Sequence, residues 1–365
     1  MCSIAANTIL GNTAEDLKED LNLELEERKA LYGYGLEGQN LPLGGNVDDL
    51  AGCSPGAKVW DAHKAANVCV REIYIKHDGN EKHVERMMDC AEWLEFYWAY
   101  KREAGDVVSR RLRLGMANFC HVRGCPICAW RRSLKMKALA LKRLPDILAE
   151  YPTFRFLFLT LTVKNCSVEN LRSTLSDMSS AWARFRKRDQ FQIVRGWFRT
   201  TEFTRGQDGV SVHPHYHVVL HVPAHYFSDG YVSQKTWTQI WQECMRVEYN
   251  PIIHVKAVPK GEEAQMVKEV MKYCVKEADI LKLIDNTSDD WYVRVFEQLR
   301  GIKFNTSSGT LKNIASEMKK KKKPTGEENI DEDLITEGEA NELVDMSSSL
   351  RFDWHQPTRK YKRSK

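Results

Sequence analysis

The sequence lacks what would place it in a membrane or in an oxidising compartment. No apolar run approaches the roughly 18 residues that a membrane span needs, and Met1 to Leu10 has no basic stretch ahead of an apolar core. A cytosolic protein with reduced thiols is expected, so where its 10 cysteines cluster, metal explains them better than disulfides. There is little overall charge either, with 54 Lys and Arg against 50 Asp and Glu for a net of +4. A polyanionic partner must therefore be read from local surpluses. The length, 365 residues, suffices for one catalytic domain of ordinary size plus additional segments.

One surplus lies in residues 101–150, where Arg110, Arg111, Arg113, Arg131, Arg132 and Lys135 are among the basic residues and Glu103, Asp106, Asp146 and Glu150 are the only acids. Each Lys or Arg that neutralises a phosphate releases condensed counterions, so the segment suits nucleic acid, with Arg131, Arg132 and Lys135 as expected DNA contacts. An ordinary solvated helix face would carry the same residues. Just before them stands Cys120-His121-Val122-Arg123-Gly124-Cys125-Pro126-Ile127-Cys128. The CxxC pair can turn both thiolates toward one ion, with Cys120 or His121 as a third ligand of a structural Zn²⁺. No second CxxC or HxxxH follows, which leaves His121, Cys90 and His83 for the fourth position. A redox pair and plain buried cysteines are the alternatives.

Periodicity is clearest from 154 to 285. Phe156–Val163, Trp197–Thr204, Ser211–Val222 and Ile252–Val258 read as strands, and helices open at Ser167, Ser233 and about Glu262. The order β-α-β-β-α-β-α predicts an α+β fold of the ferredoxin type, an antiparallel sheet with helices on one face and the other face open for a site. Residues 1–105 are an amino-terminal accessory region, with an acidic helix over Ala14–Leu31 and a glycine-rich loop from Gly33 to Gly56. Residues 106–150 form the cysteine-rich basic segment and 151–310 the catalytic domain. Residues 311–365, with blocks of lysines and acids, are expected to form a disordered tail.

Within the third of these strands, His213, His215, His217 and His221 occupy alternate positions and share one face, while Tyr216, Val218, Leu220 and Val222 share the other. A row of imidazoles backed by apolar residues fits a ligand cluster; solvated histidines on an edge strand are the plainer explanation. If Asp208-Gly209 is a two-residue hairpin turn, Glu202 lies opposite His215 and joins the histidine face. Two imidazoles and a carboxylate suit Mg²⁺, Mn²⁺ or Zn²⁺ and leave positions open for substrate oxygens. On the last helix, Val267, Val270, Met271 and Cys274 make the apolar stripe, whereas Glu269, Tyr273 and Lys276 meet on the opposite side. A tyrosine hydroxyl attacking a metal-polarised phosphodiester would unite these parts, with Lys276 favouring the phenolate.

Phe158-Leu-Thr-Leu-Thr162, His213-Pro-His-Tyr-His-Val-Val-Leu220 and Lys272-Tyr-Cys-Val-Lys276, in this order, resemble the three motifs of HUH endonucleases. More closely, they are similar to those of the replication initiators (Rep) of rolling-circle plasmids, over roughly residues 110–310. The resemblance implies His215 and His217 as metal ligands, Tyr273 as nucleophile, Lys276 as the basic residue of the third motif, and Glu269 as the residue directing hydrolysis at termination. It further implies a Mg²⁺ or Mn²⁺ cofactor, plasmid origin DNA as substrate, a host helicase and single-strand-binding protein as partners, and a bacterial cytoplasmic location. No second tyrosine stands at Tyr-x-x-x-Tyr spacing, which disfavours a two-tyrosine mechanism. A single-tyrosine transposase or mobilisation relaxase would share the chemistry. A zinc-containing DNA-binding regulator would use the histidines structurally.

Overall fold

The computed structural model describes residues 48–54, 57–77, 80–103, 106–271, 290–312 and 342–364. In chain order the elements are α1 (Lys58–Lys76), α2 (Glu81–Met88), β1 (Trp93–Glu103), β2 (Asp106–Ala117), α3 (Pro126–Glu150), β3 (Arg155–Thr162), α4 (Leu171–Phe185), β4 (Gly196–Arg205), β5 (Val212–Val222), α5 (Gln234–Met245), β6 (Ile253–Ala257), α6 (Glu263–Val270), α7 (Trp291–Gln298), β7 (Asn305–Gly309), β8 (Glu342–His355) and β9 (Lys360–Arg363). The strands form two sheets, ordered β2-β1-β8-β9 and β6-β3-β5-β4-β7, and every pairing is antiparallel. The chain is thus α+β.

The larger sheet is held together by its alternation. Leu157, Leu159 and Leu161 of β3, Phe203 of β4, and Tyr216, Val218 and Leu220 of β5 are buried on one face, under Leu175, Trp182 and Phe185 of α4 and Trp237 and Trp241 of α5. Fully burying a side chain of this size contributes roughly 1.5–3 kcal/mol, so this interface carries much of the fold. Arg199 shares that face, its guanidinium 4.2 Å from the Tyr216 ring centre and 5.6 Å from that of Trp182. Pro214 interrupts β5 without losing a ladder bond. The Val212 backbone exchanges hydrogen bonds with Cys166 on the β3 side, so position 214 faces the same way, where the β3 ladder has already ended at His215.

The opposite face departs from the expected open surface. Phe156, Phe198 and Val219 on it are apolar, and α3 and α6 cover them with Met136, Ala140, Leu144, Met266, Val267 and Val270. An uncovered apolar half would have been costly in water; only the half bearing the polar side chains is left. Two further expectations are corrected. Residues 305–309, which show no periodicity, pair with β4 as an edge strand. The carboxy-terminal region, expected to be disordered, supplies β8 and β9 to the first sheet, with Phe352 and Tyr361 buried in the core. The boundary expected at 105/106 falls inside the β1–β2 hairpin, where Glu103 pairs with Asp106. The acidic segment Ala14–Leu31 lies outside the described residues, as does the glycine-rich stretch as far as 47.

Candidate functional site

Register places the histidine site. Glu202 pairs with His215 across β4 and β5, as the hairpin count requires, although the connection is wider than two residues. Gly206 N–H donates to the Ser211 carbonyl, Gly209 N–H donates to the Gly206 carbonyl, and Gly209 sits at φ +73°, a conformation that glycine adopts without strain. Asp208 Oδ1 accepts from the backbone N–H groups of Val210 and Ser211 and from the Ser211 hydroxyl, which holds its carboxyl below the usual range. This loop is centred where the two-residue turn would be, so every pairing below it is unchanged.

The three side chains converge. Glu202 Oε2 lies 3.0 Å from His217 Nε2 and 3.8 Å from His215 Nε2, and Glu202 is only 6 % exposed. Both imidazoles present Nε2 because Nδ1 is engaged elsewhere. His217 Nδ1 is 3.2 Å from Thr160 Oγ1, and His215 Nδ1 is 3.3 Å from the His213 carbonyl. Such outer contacts fix ring orientation and tautomer around a metal. Burial pushes His215 down to about 4, with Glu202 drawing it partly back, so the ring is neutral at pH 7 and its lone pair is available. The convergence of two Nε2 atoms and one carboxylate oxygen fits a divalent cation, and these atoms lie within 4.8 Å of one another.

The other histidines of the row have separate fates. His213 Nδ1 meets Asn165 Oδ1 at 2.8 Å beside the site. His221 is a core residue, 1 % exposed among Tyr151, Phe154 and Phe156, with Nδ1 2.8 Å from Thr310 Oγ1; burial holds it too at about 4. Thr160 is the residue that sequence reasoning missed. It lies inside the first motif, and its pairing with His217 could have been counted only once β3 was known to neighbour β5.

Glu269 occupies the last turn of α6, half-buried, on a helix that rests on the histidine face of the sheet. Tyr273 and Lys276 lie outside the described residues. In the cysteine segment the fourth position goes to Cys90, one of its three candidates, and not to His121. Cys120, Cys125 and Cys128 are joined by Cys90, and the four sulfurs lie within 4.8 Å of one another. His121 is not among them; it is exposed, with a backbone φ of +53° that turns the chain between Cys120 and Val122. His83 packs instead against the Tyr74 ring. Arg131 is turned inward between the Trp60 and Trp130 rings and is 8 % exposed, so it is no part of a displayed basic face; Arg132 and Lys135 are half-buried.

Two imidazoles and a carboxylate thus meet on an antiparallel sheet, with a helix bearing a glutamate laid over the same face, a donor set that could hold a metal ion. Residues 111–362 match the Rep_1 family model, described as replication protein. "Protein rep" of Bacillus amyloliquefaciens is 32% identical over 304 residues, covering 77% of this chain and 84% of the relative. "Protein rep" of Lactiplantibacillus plantarum is 33% identical over 270 residues, 71% of this chain and 82% of the relative. That of Streptococcus pneumoniae is 34% identical over 224 residues, 60% and 67% respectively. The chain belongs to the Rep_1 family of replication proteins. No solved structure matches it.

Proposed function

We propose that this protein initiates plasmid rolling-circle replication by nicking one strand at the origin, with Tyr273 as nucleophile and Glu202, His215 and His217 as ligands of Mg²⁺ or Mn²⁺. The observation that carries the reading is the meeting of Glu202 with His217 at 3.0 Å and with His215 at 3.8 Å, on the sheet face against which α6 packs. The strand order β6-β3-β5-β4 supports it, since two interleaved βαβ units of this order make the split βαβ arrangement of HUH enzymes.

A bound divalent ion would supply Lewis-acid polarisation of the scissile phosphodiester. The Tyr273 oxygen forms a bond to phosphorus while the bond from phosphorus to the 3′ oxygen breaks. The product is a 5′-phosphotyrosyl link with a free 3′-hydroxyl, which keeps the phosphoester energy for later rejoining. The phenol's ordinary value near 10 makes it a weak nucleophile at neutral pH, so Lys276, three residues on in the sequence, favours the phenolate. Glu269, four residues before Tyr273 in the sequence, takes a proton from water in the terminating hydrolysis. The substrate is plasmid origin DNA; a host helicase and a single-strand-binding protein follow from the same reading, as does a place in the bacterial cytoplasm.

The test is incubation with a labelled single-stranded origin oligonucleotide and Mn²⁺. The wild type is expected to give a covalent adduct, and Tyr273→Phe to abolish cleavage and adduct while binding DNA nearly as well. Cleavage surviving in Tyr273→Phe would remove the nucleophile assignment. Glu269→Ala is expected to keep the first nick and lower hydrolytic release, read as the ratio of released to covalent product.

A further inference from the structure

The four-cysteine cluster lies outside this chemistry, and it is built like a ligand set. Its sulfurs come from three separate places: Cys90 just after α2, Cys120 just after β2, and Cys125 and Cys128 at the start of α3. Cys90 Sγ is 3.6 Å from Cys125 Sγ and 3.7 Å from Cys128 Sγ, and Cys120 Sγ is 3.5 Å from Cys128 Sγ. Disulfides need about 2.05 Å, so none of these pairs is bonded. Zn–S bonds of about 2.3 Å at tetrahedral angles instead set sulfur–sulfur edges of about 3.8 Å, close to what is found. The same spacing excludes the wider cage of a multi-iron cluster.

The surroundings also suit thiolates. Asn67 Nδ2 donates to Cys125 Sγ at 3.2 Å, and the backbone N–H groups of Cys120 and Val122 donate to Cys90 and Cys120 sulfurs, each at 3.5 Å. Cys125 caps α3 and Cys128 lies in its first turn, where the helix dipole favours negative charge. Lys64, fully buried, donates to the Cys90 carbonyl at 2.7 Å, and Arg86 donates to the Cys120 carbonyl. Both cations stand on the ligand backbone, beside a four-thiolate Zn²⁺ centre of net charge −2, with the charge of Lys64 shared with Glu92 at 2.8 Å.

We infer that Cys90, Cys120, Cys125 and Cys128 bind one structural Zn²⁺ that fastens the amino-terminal sheet and helices to α3. Binding converts four thiols to thiolates and releases four protons, with no redox change. All four positions are filled by protein, so the centre has no place for substrate and is distinct from the Glu202 site. Soft sulfur ligands select Zn²⁺ over Mg²⁺ and Mn²⁺. The knuckle is also tied to the segment after the nucleophile: Tyr292 Oη donates to the Gly124 carbonyl at 2.9 Å, and Arg123 donates to the Leu299 and Ile302 carbonyls. The inference does not depend on the nicking reading, since it predicts metal content and not turnover.

The full chain, purified under reducing conditions and dialysed against EDTA to strip weakly held ions, is to be assayed by elemental analysis. One zinc per chain is expected, retained in His121→Ala and lost in Cys90→Ser. Wild-type chain without zinc, iron in its place, or full zinc in Cys90→Ser would overturn the proposal. Because Cys90→Ser is liable to misfold, the wild type is also titrated with a mercurial. Zinc release in proportion to thiols blocked, together with thiolate charge-transfer bands after Co²⁺ substitution, is the supporting result. Release of no zinc, or a mass lighter by two hydrogens per cysteine pair before reduction, overturns it.

Discussion

The two candidate ligand groups of this protein are made in opposite ways. Glu202, His215 and His217 are set by register, on neighbouring strands of one sheet, and they offer hard oxygen and borderline nitrogen donors on a face that α3 and α6 leave partly uncovered. The four thiols are set by chain connections, drawn from the ends of α2, β2 and the start of α3, and all four residues are buried. Three ligands with room beside them suit an ion that must receive substrate oxygens, whereas four closed ligands suit an ion that only holds. A strand pair gives precise spacing but no enclosure; loops give enclosure at the cost of needing the ion to hold them.

The contrast breaks most severely in Glu202→Ala. Mn²⁺ affinity, read by titration calorimetry, is expected to fall at least about a hundredfold, while zinc content stays the same. Unchanged Mn²⁺ affinity would take Glu202 out of the set. Acid separates the groups less sharply. His215 and His221 titrate at about 4 in the folded chain against 6.5 as free side chains, so below pH 6.5 the unfolded state binds protons that the folded state does not. The stability of keeping both rings neutral is full above pH 6.5 and is lost as pH falls toward 4, at roughly 2 kcal/mol per pH unit near pH 5. Urea unfolding at stepped pH checks it, and a flat profile would contradict the buried neutral rings. The smallest effect is expected for Thr160→Val, which removes the partner of His217 Nδ1: about tenfold weaker Mn²⁺ binding with an unchanged melting temperature. Affinity equal to wild type would make Thr160 a packing residue only.

The larger sheet was legible because its core strands follow one another closely in sequence and its hairpin carries Asp208-Gly209 at the centre of the turn. Alternation then fixed which side Glu202 and the histidines share. The covering of half that side by α3 was not legible, because a basic helix was read for its charge, although Met136, Ala140 and Leu144 form its apolar stripe. β7 is Asn-Thr-Ser-Ser-Gly, residues with no strand period; it is a strand because β4 has an edge to pair. For β8, Leu350, Phe352 and Trp354 do alternate, but the run of acids before them masked the signal, and the partner β1 stands far back in the chain. Cys90 could be named only as one of three candidates, beside His121 and His83, since a residue brought by the fold leaves no motif.

The position of β8 between β1 and β9 has a consequence for biosynthesis. As the chain emerges from the ribosome, β1 can pair with β2 at once, but the backbone groups of its other edge stay bare until β3 to β7 have been translated. The first sheet to be made is therefore the last to close, and the order of folding runs against the order of synthesis.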